Sequence, residues 1–311
     1  RGLGFAGALS FQYASLFFSL SFHQVLFFPS EIGRFQCQHR AFQLPLNRRD
    51  RVTCDLRHDA YRNAGVHGKK LFPGTLAALL RCFAVCGLAA HRRVLAFDVA
   101  GFGRSPMLPA HRPPTAQNLV LALKEQLTRL GITEPVDIVG NSMGGWMALE
   151  AAQLGMARTV VAISPAGLWL QPPMHAKHLF YTMRRVTRVA PGLVRAMMSV
   201  PWLRELLLAV PVTTGARRMP AAEAFAAALD FARAPGFDST FHQVKRFEGG
   251  RGIQVPLAVA FGTHDWLLPR SARLRSELPS HTRWLEPKGW GHVPMWKDPQ
   301  GVVELILDGT R

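Results

Sequence analysis

Residues Val139 to Trp146 read VGNSMGGW, a single serine set among three glycines. Before it, Val136-Asp137-Ile138-Val139 is a short β-rich run. After it, Met143 to Gly155 (MGGWMALEAAQLG) is built of helix formers. A strand that doubles back at once into a helix leaves no room for side chains on either flank of the turn. The residue at the apex must also hold a strained backbone. Gly140 and Gly144 stand where such a turn needs them, so the pattern reads strand, tight turn, helix.

The same grammar continues on both sides. Arg93 to Asp98 (RVLAFD) is a strand, followed by the glycine-punctuated turn VAGFGRSP. Thr75 caps a helix through Cys86 that Gly87 ends, and Thr115 caps another to Leu130, closed by Gly131. TVVAIS is the strand after the serine's helix. Towards the C-terminus PLAVAFG and TRWLE are strands, with a helix near Ser271 to Leu278. Asp298 caps the last helix, with Pro299 in its first turn. Alternating strands and helices of this length predict an α/β fold, a mostly parallel central sheet with helices on both faces. Residues 168–252 break the rhythm. They are helical pieces separated by Pro191, Pro201, Pro211 and Pro220, and they read as a helical cap inserted into a core of 67–167 and 253–311.

A serine hydroxyl is a weak nucleophile alone. It needs a base, a group that orients the base, and donors for the oxyanion that forms. Gly140 to Gly144 fits G-x-S-x-G, the elbow that lifts a serine above a sheet edge; the plainer alternative for Ser142 is a helix-capping serine. Asp265 follows an apolar strand in AFGTHDWLLP. His292 sits in the glycine-rich loop GWGHVPMWKDP. The order is serine, acid, histidine. His264 is a neighbouring histidine that competes with His292 on paper, and Asp98 is a second strand-end carboxylate, held in reserve.

In VGNSMGGWMALE, FGTHDWLLP and GWGHVPMWKDP the chain resembles the α/β-hydrolases. DVAGFGRSP resembles that family's turn as well, with Ala100 where proline is more usual. The likeness runs from Leu71 to Arg311, and residues 1–66 match poorly. It implies Ser142 as nucleophile, His292 as base and Asp265 as its orienting partner. The oxyanion donors implied are the N–H of Met143 and a His67-Gly68 loop that continues into Lys69. The expected activity is that of a serine hydrolase cleaving an ester or related acyl bond through an acyl-enzyme. Alternatives are a cofactor-free carbon–carbon bond hydrolase of the same fold, or a ligand-binding protein without turnover. Dehalogenases and epoxide hydrolases of the family carry an aspartate at the nucleophile, which Ser142 argues against. Trp146, Trp266 and Trp290 lie near the triad elements in sequence and suggest an apolar pocket, with ordinary packing as the other reading.

Composition narrows the partners. The 311 residues are 48% hydrophobic and 18% charged, with a formal net charge of +17, which is a globular composition. The arginines are scattered and not interleaved with aromatics, so no nucleic acid is expected; the partner that the family resemblance implies is a small-molecule ester or apolar acyl substrate. Cys82 and Cys86 suit packing. Cys37, His39, Cys54 and His58 match no zinc spacing, so neither metal nor cofactor is expected. Few cysteines suggest the cytoplasm. The alternative is membrane association through residues 3–28, since no charge occurs between Arg1 and Glu31. The G-x-G-x-x-G in RGLGFAG has no strand before it and fails as a dinucleotide site.

Overall fold

The computed structural model describes residues 15–18, 23–29, 36–37, 53–54, 87–88, 91–103, 105–210 and 213–311. A seven-stranded sheet organises them. Its strands are β1 (Ser15–Phe18), β2 (His23–Pro29), β5 (Arg92–Asp98), β6 (Val136–Asn141), β7 (Ala157–Ile163), β8 (Leu257–Ala260) and β9 (Arg283–Leu285), in the order β1-β5-β2-β6-β7-β8-β9. The short strands β3 (Gln36–Cys37) and β4 (Thr53–Cys54) pair separately. From β6 to β9 the neighbours are parallel, with Val139 opposite Val161 and Val161 opposite Ala258. β2 runs antiparallel to β5 and β6.

Side chains divide between the two faces with the period of two that a strand imposes. Ile138, Val160, Ala162, Leu257 and Val259 enter one core, with Leu119, Val120, Leu123 and Leu127 of α1 (Ala116–Arg129) and most of α2 (Met143–Gln153). Their neighbours Val139, Val161, Ile163, Ala258 and Ala260 enter the other, with Val302, Leu305 and Ile306. Those three come from α8 (Pro299–Gly309). Both faces are therefore covered, as the alternating sequence required.

The caps form as read. Thr115 Oγ1 accepts the Asn118 N–H at 3.1 Å, and Asp298 Oδ1 accepts the Gly301 N–H at 3.0 Å. Gly131 leaves α1 at φ +75°. Two local readings are corrected. Gly87 does not end a helix, because Gly87 and Leu88 are both helical. A Cβ on Gly87 would come within 2.9 Å of Val303, so glycine serves close helix approach there; the rest of that helix lies outside the described residues. Ser271 to Leu278 is not an α-helix but two 3₁₀ turns, Arg270–Ala272 and Arg275–Glu277. Between them the Leu274 N–H turns away to the Leu168 carbonyl at 2.9 Å, which interrupts any helical ladder.

Between β7 and β8 lie α3 (Met174–Val189), α4 (Pro191–Ser199), α5 (Pro201–Ala209), α6 (Ala221–Arg233) and α7 (Phe237–His242), and no strand among the described residues. Pro191 and Pro201 occupy first helical positions, where a missing N–H costs nothing. Phe180, Tyr181, Phe231, Phe237 and Phe241 hold α3, α6 and α7 together edge to face. The helical segment touches loops that leave the sheet at several points. The Gly236 N–H donates to Gly101 O at 2.8 Å and the Phe247 N–H to Gly167 O at 2.9 Å. His175 Nε2 lies 3.0 Å from Leu267 O, and Thr214 Oγ1 donates to Gly289 O at 3.0 Å. Those loops follow β5, β7, β8 and β9, so the insertion rests on the carboxyl edge of the sheet.

Candidate active site

Ser142 joins β6 to α2 with φ +57° and ψ −120°, a backbone state that few non-glycine residues occupy. The chain around it is over-determined. The Ser142 N–H donates to Ile163 O at 2.9 Å, and the Ser142 carbonyl accepts from the Trp146 and Ala166 N–H groups at 3.1 and 2.9 Å. A Cβ on Gly140 would collide with the Gly144 carbonyl, and one on Gly145 would lie 2.9 Å from Pro165. The glycines are thus set by backbone approaching backbone. Ser142 makes no side-chain capping bond to α2, so the helix-capping reading fails. Met143 opens α2, where first-turn N–H groups have no intrahelical acceptor.

Asp265 follows β8 and is 3% exposed, and His292, between β9 and α8, is 1% exposed. His292 Nδ1 lies 3.0 Å from Asp265 Oδ2. The other carboxylate oxygen accepts from the Leu267 and Leu268 N–H groups at 3.1 and 3.0 Å, which fixes the acid's orientation. Burial pushes the Asp265 pKa up, but the charge and hydrogen bond of His292, the Leu268 N–H and the Ser164 hydroxyl outweigh it and hold the group below its ordinary value. Ser164 Oγ makes no well-formed hydrogen bond of its own and acts on the carboxylate through proximity. An ionised Asp265 accepts a hydrogen bond from Nδ1–H, which keeps that proton on the ring and leaves the lone pair of a neutral imidazole on Nε2, and Nε2 is buried with no protein partner.

Two residues that carry this geometry were not singled out from the sequence. Asn141 Nδ2 donates to Ile163 O at 3.0 Å and to His292 O at 2.8 Å. It therefore ties the histidine's backbone beside the residue preceding Ser142. The signal was a polar side chain at the end of a fully buried strand. Ser164 ends β7 at φ +45°, buried and beside Asp265; nothing in TVVAIS marks that conformation.

The remaining candidates separate. Trp146 is buried in the core, with Nε1 donating to Glu150 at 3.1 Å. Trp290 is buried on the opposite face of the sheet and donates to Asp298 at 2.9 Å. Packing accounts for both, and Trp266 alone of the three is exposed, at 50%. His264 is exposed and paired with its neighbour Thr263. Asp98 is packed against Gly103, where a Cβ would strike its carboxylate, so it braces its own turn. Gly68 and Lys69 lie outside the described residues, as do the side chains of Cys37 and Cys54. Among the described residues no cluster of His, Cys, Asp and Glu could hold a metal, and no helix is long and apolar enough to cross a membrane.

Residues 66–305 match the Alpha/beta hydrolase family. The chain belongs to this family. It is 31% identical over 193 residues to Epoxide hydrolase EphH of Mycobacterium tuberculosis (strain ATCC 25618 / H37Rv), covering 59% of this chain and 89% of that protein. Among solved structures it is similar to a serine hydrolase involved in carbazole degradation, with TM-score 0.50, 20% identity, and 73% and 82% of the two chains covered. It is similar also to MGS-M2, an alpha/beta hydrolase from a Medee basin deep-sea metagenome library, with TM-score 0.50, 17% identity, and 78% and 91% covered. At these identities the two structures speak for the fold. Family and curated relative together support hydrolytic function.

Proposed function

We propose that the protein is a serine hydrolase that cleaves an ester or related acyl bond through an acyl-enzyme. The observation that carries this is the buried His292–Asp265 pair with an unpartnered Nε2, tied through Asn141 to the strained turn of Ser142. His292 Nε2 takes the Ser142 proton as Oγ adds to the acyl carbon, and returns it to the leaving alcohol. A water then attacks the acyl-enzyme by the same route in reverse. Asp265 stays ionised and holds Nδ1–H, so that the ring's basic nitrogen is always the one facing away from the acid. The Met143 N–H supplies one oxyanion donor, and removing such a donor costs roughly 2.7–4 kcal/mol of transition-state stabilisation.

The epoxide-hydrolase name of the relative does not transfer to this site. An aspartate that opens an epoxide forms an ester, which water can hydrolyse. Ser142 Oγ opening the same ring would form an ether, and the enzyme would stop after one turnover. The same residues also suit carbon–carbon bond cleavage, and turnover of p-nitrophenyl esters against that of a carbon–carbon cleavage substrate separates the two.

The helical insertion is proposed as a cap over Ser142, because its contacts fall on the loops after β5, β7, β8 and β9. A cap of that kind selects substrates and carries no chemistry. The test is labelling with a fluorophosphonate probe followed by peptide mapping. Label on Ser142, lost in Ser142→Ala together with esterase activity by on the order of 10⁶-fold in kcat, supports the reading. Label elsewhere, or a Ser142→Ala variant that keeps more than a few per cent of activity, overturns it.

A further inference from the structure

The outer surface of the insertion is unlike the rest of the described molecule. Val189 is 79% exposed, Leu193 58%, Trp202 67% and Leu206 66%, with Val186, Val200 and Val210 exposed as well. Trp202, Leu206 and Val210 fall at i, i+4 and i+8, one stripe along α5. Leu193 and Ala196 fall at i and i+3 along α4, and Val200 follows as its extended C-cap. Val189 is the last residue of α3, and Val200 lies between α4 and α5. A run of large apolar side chains this open on consecutive helices is a contact surface.

The charges among these side chains are of one sign. Residues 174–210 contain Lys177, Arg184, Arg185, Arg188, Arg195 and Arg204 against a single carboxylate, Glu205. Arg184 and Arg204 are buried. Glu205 is spent internally, accepting from the Gly215 and Arg217 N–H groups at 2.6 and 2.8 Å. Arg188 is exposed but donates to Ala232 O at 2.6 Å, so the exposed cations of these helices not placed in an internal bond are Lys177, Arg185 and Arg195. We infer that α3, α4 and α5 form a docking face for an anionic lipid surface, with Trp202, Leu206, Leu193 and Val189 entering the headgroup layer and the cations meeting lipid phosphates. Apolar side chains flanked by basic ones on helices too short to span are the chemistry of lying on a bilayer. A second copy is a poor occupant, because it would set the same cations against each other. The inference goes beyond the proposed hydrolysis and does not depend on it.

The experiment is co-sedimentation of the full chain with vesicles of phosphatidylcholine alone and of phosphatidylcholine with phosphatidylglycerol. The wild type is expected on the anionic vesicles, with partitioning that weakens in high salt. Trp202→Ser with Leu206→Ser, and separately Arg185→Glu with Arg195→Glu, are each expected to reduce partitioning by about tenfold or more. Ser142→Ala is expected to bind as the wild type does, which separates this outcome from the fate of the proposed reaction. Cap variants that bind like the wild type overturn the inference, because another part of the chain then carries any lipid affinity. Absence of wild-type binding overturns it too. So does a wild-type dimer that Trp202→Ser with Leu206→Ser converts to monomer.

Discussion

The turn at Ser142 and the helical insertion are held together by different means. Around Ser142 the backbone does the holding: Gly140 against the Gly144 carbonyl, Gly145 against Pro165, and the Ser142 carbonyl shared by two N–H groups. In the insertion, long cationic side chains do it. Arg184 lies 4.1 Å from the Phe237 ring centre and donates to Phe231 O and Ala234 O, while Arg188 donates to Ala232 O at 2.6 Å. These carbonyls belong to the last turn of α6 and to its C-cap Ala234, where C=O groups have no intrahelical N–H donor. Arg204 does the same for Met198 O at the end of α4 and for Ala216 O and Arg217 O. Backbone approach fixes atoms tightly but tolerates no added side chain. Arginine bracing tolerates change in the helices it joins, which suits the cap role proposed for this part of the molecule.

The largest effect expected from breaking the first region is chemical. Asp265→Asn keeps the shape but offers an amide where His292 Nδ1–H needs an anion, so the ring settles in the wrong tautomer. A loss on the order of 10⁴-fold in kcat is expected, with Ser142 still present and the fold retained. The same variant tests stability against pH. The Asp265 pKa is held below its ordinary value of 3.8, so the unfolded chain takes up that proton more readily than the folded one. Its contribution is therefore complete above 3.8 and is lost as pH falls through the lower folded value. Urea unfolding of both proteins at about pH 6 and about pH 3 reads this. A stability gap that widens on acidification contradicts the sign.

A smaller effect follows from crowding the turn. Gly140→Ala places a methyl group on the Gly144 carbonyl, and the elbow cannot yield without moving Ser142. A loss of more than about 3 kcal/mol is expected, with slowed probe labelling. Gly192→Ala, where an added Cβ meets nothing within 4 Å, is the matched control. Equal stability of the two variants would show that the elbow relaxes freely.

The sequence made the first region legible and the second only in outline. Gly140, Ser142, Asp265 and His292 occupy strand ends in a fixed order, and a glycine between two close backbones has no substitute. The capping residues Thr115 and Asp298 were legible for the same local reason. Arg184 and Arg204 were not, because an arginine buried under helix ends and one in solvent are the same letter in the same kind of helix. Asn141 and Ser164 act through groups more than twenty residues away, His292 O and Asp265, so nothing in their own neighbourhood announces them. Trp146 and Trp290 stood near Ser142 and His292 in sequence, yet α2 and the loop before α8 turn their indoles into packing. The segment 271–278 looked helical from its residues, and the Leu168 carbonyl took the N–H the helix needed.

The smallest expected effect separates buried from exposed arginine directly. Arg204 is 4% exposed and its guanidinium answers three carbonyls. Met matches much of its stem but donates nothing, so Arg204→Met leaves buried acceptors without donors, at a cost of about 2 kcal/mol. Arg185 is exposed in α3, and Arg185→Met should change stability by less than about 0.5 kcal/mol. Both should leave the labelling rate of Ser142 by a small fluorophosphonate near that of the wild type, because neither guanidinium bonds directly to the loops that hold Asp265 and His292. The measurement is urea unfolding of the three proteins alongside labelling kinetics. Equal stability of the two variants would show that water replaces Arg204 at its carbonyls.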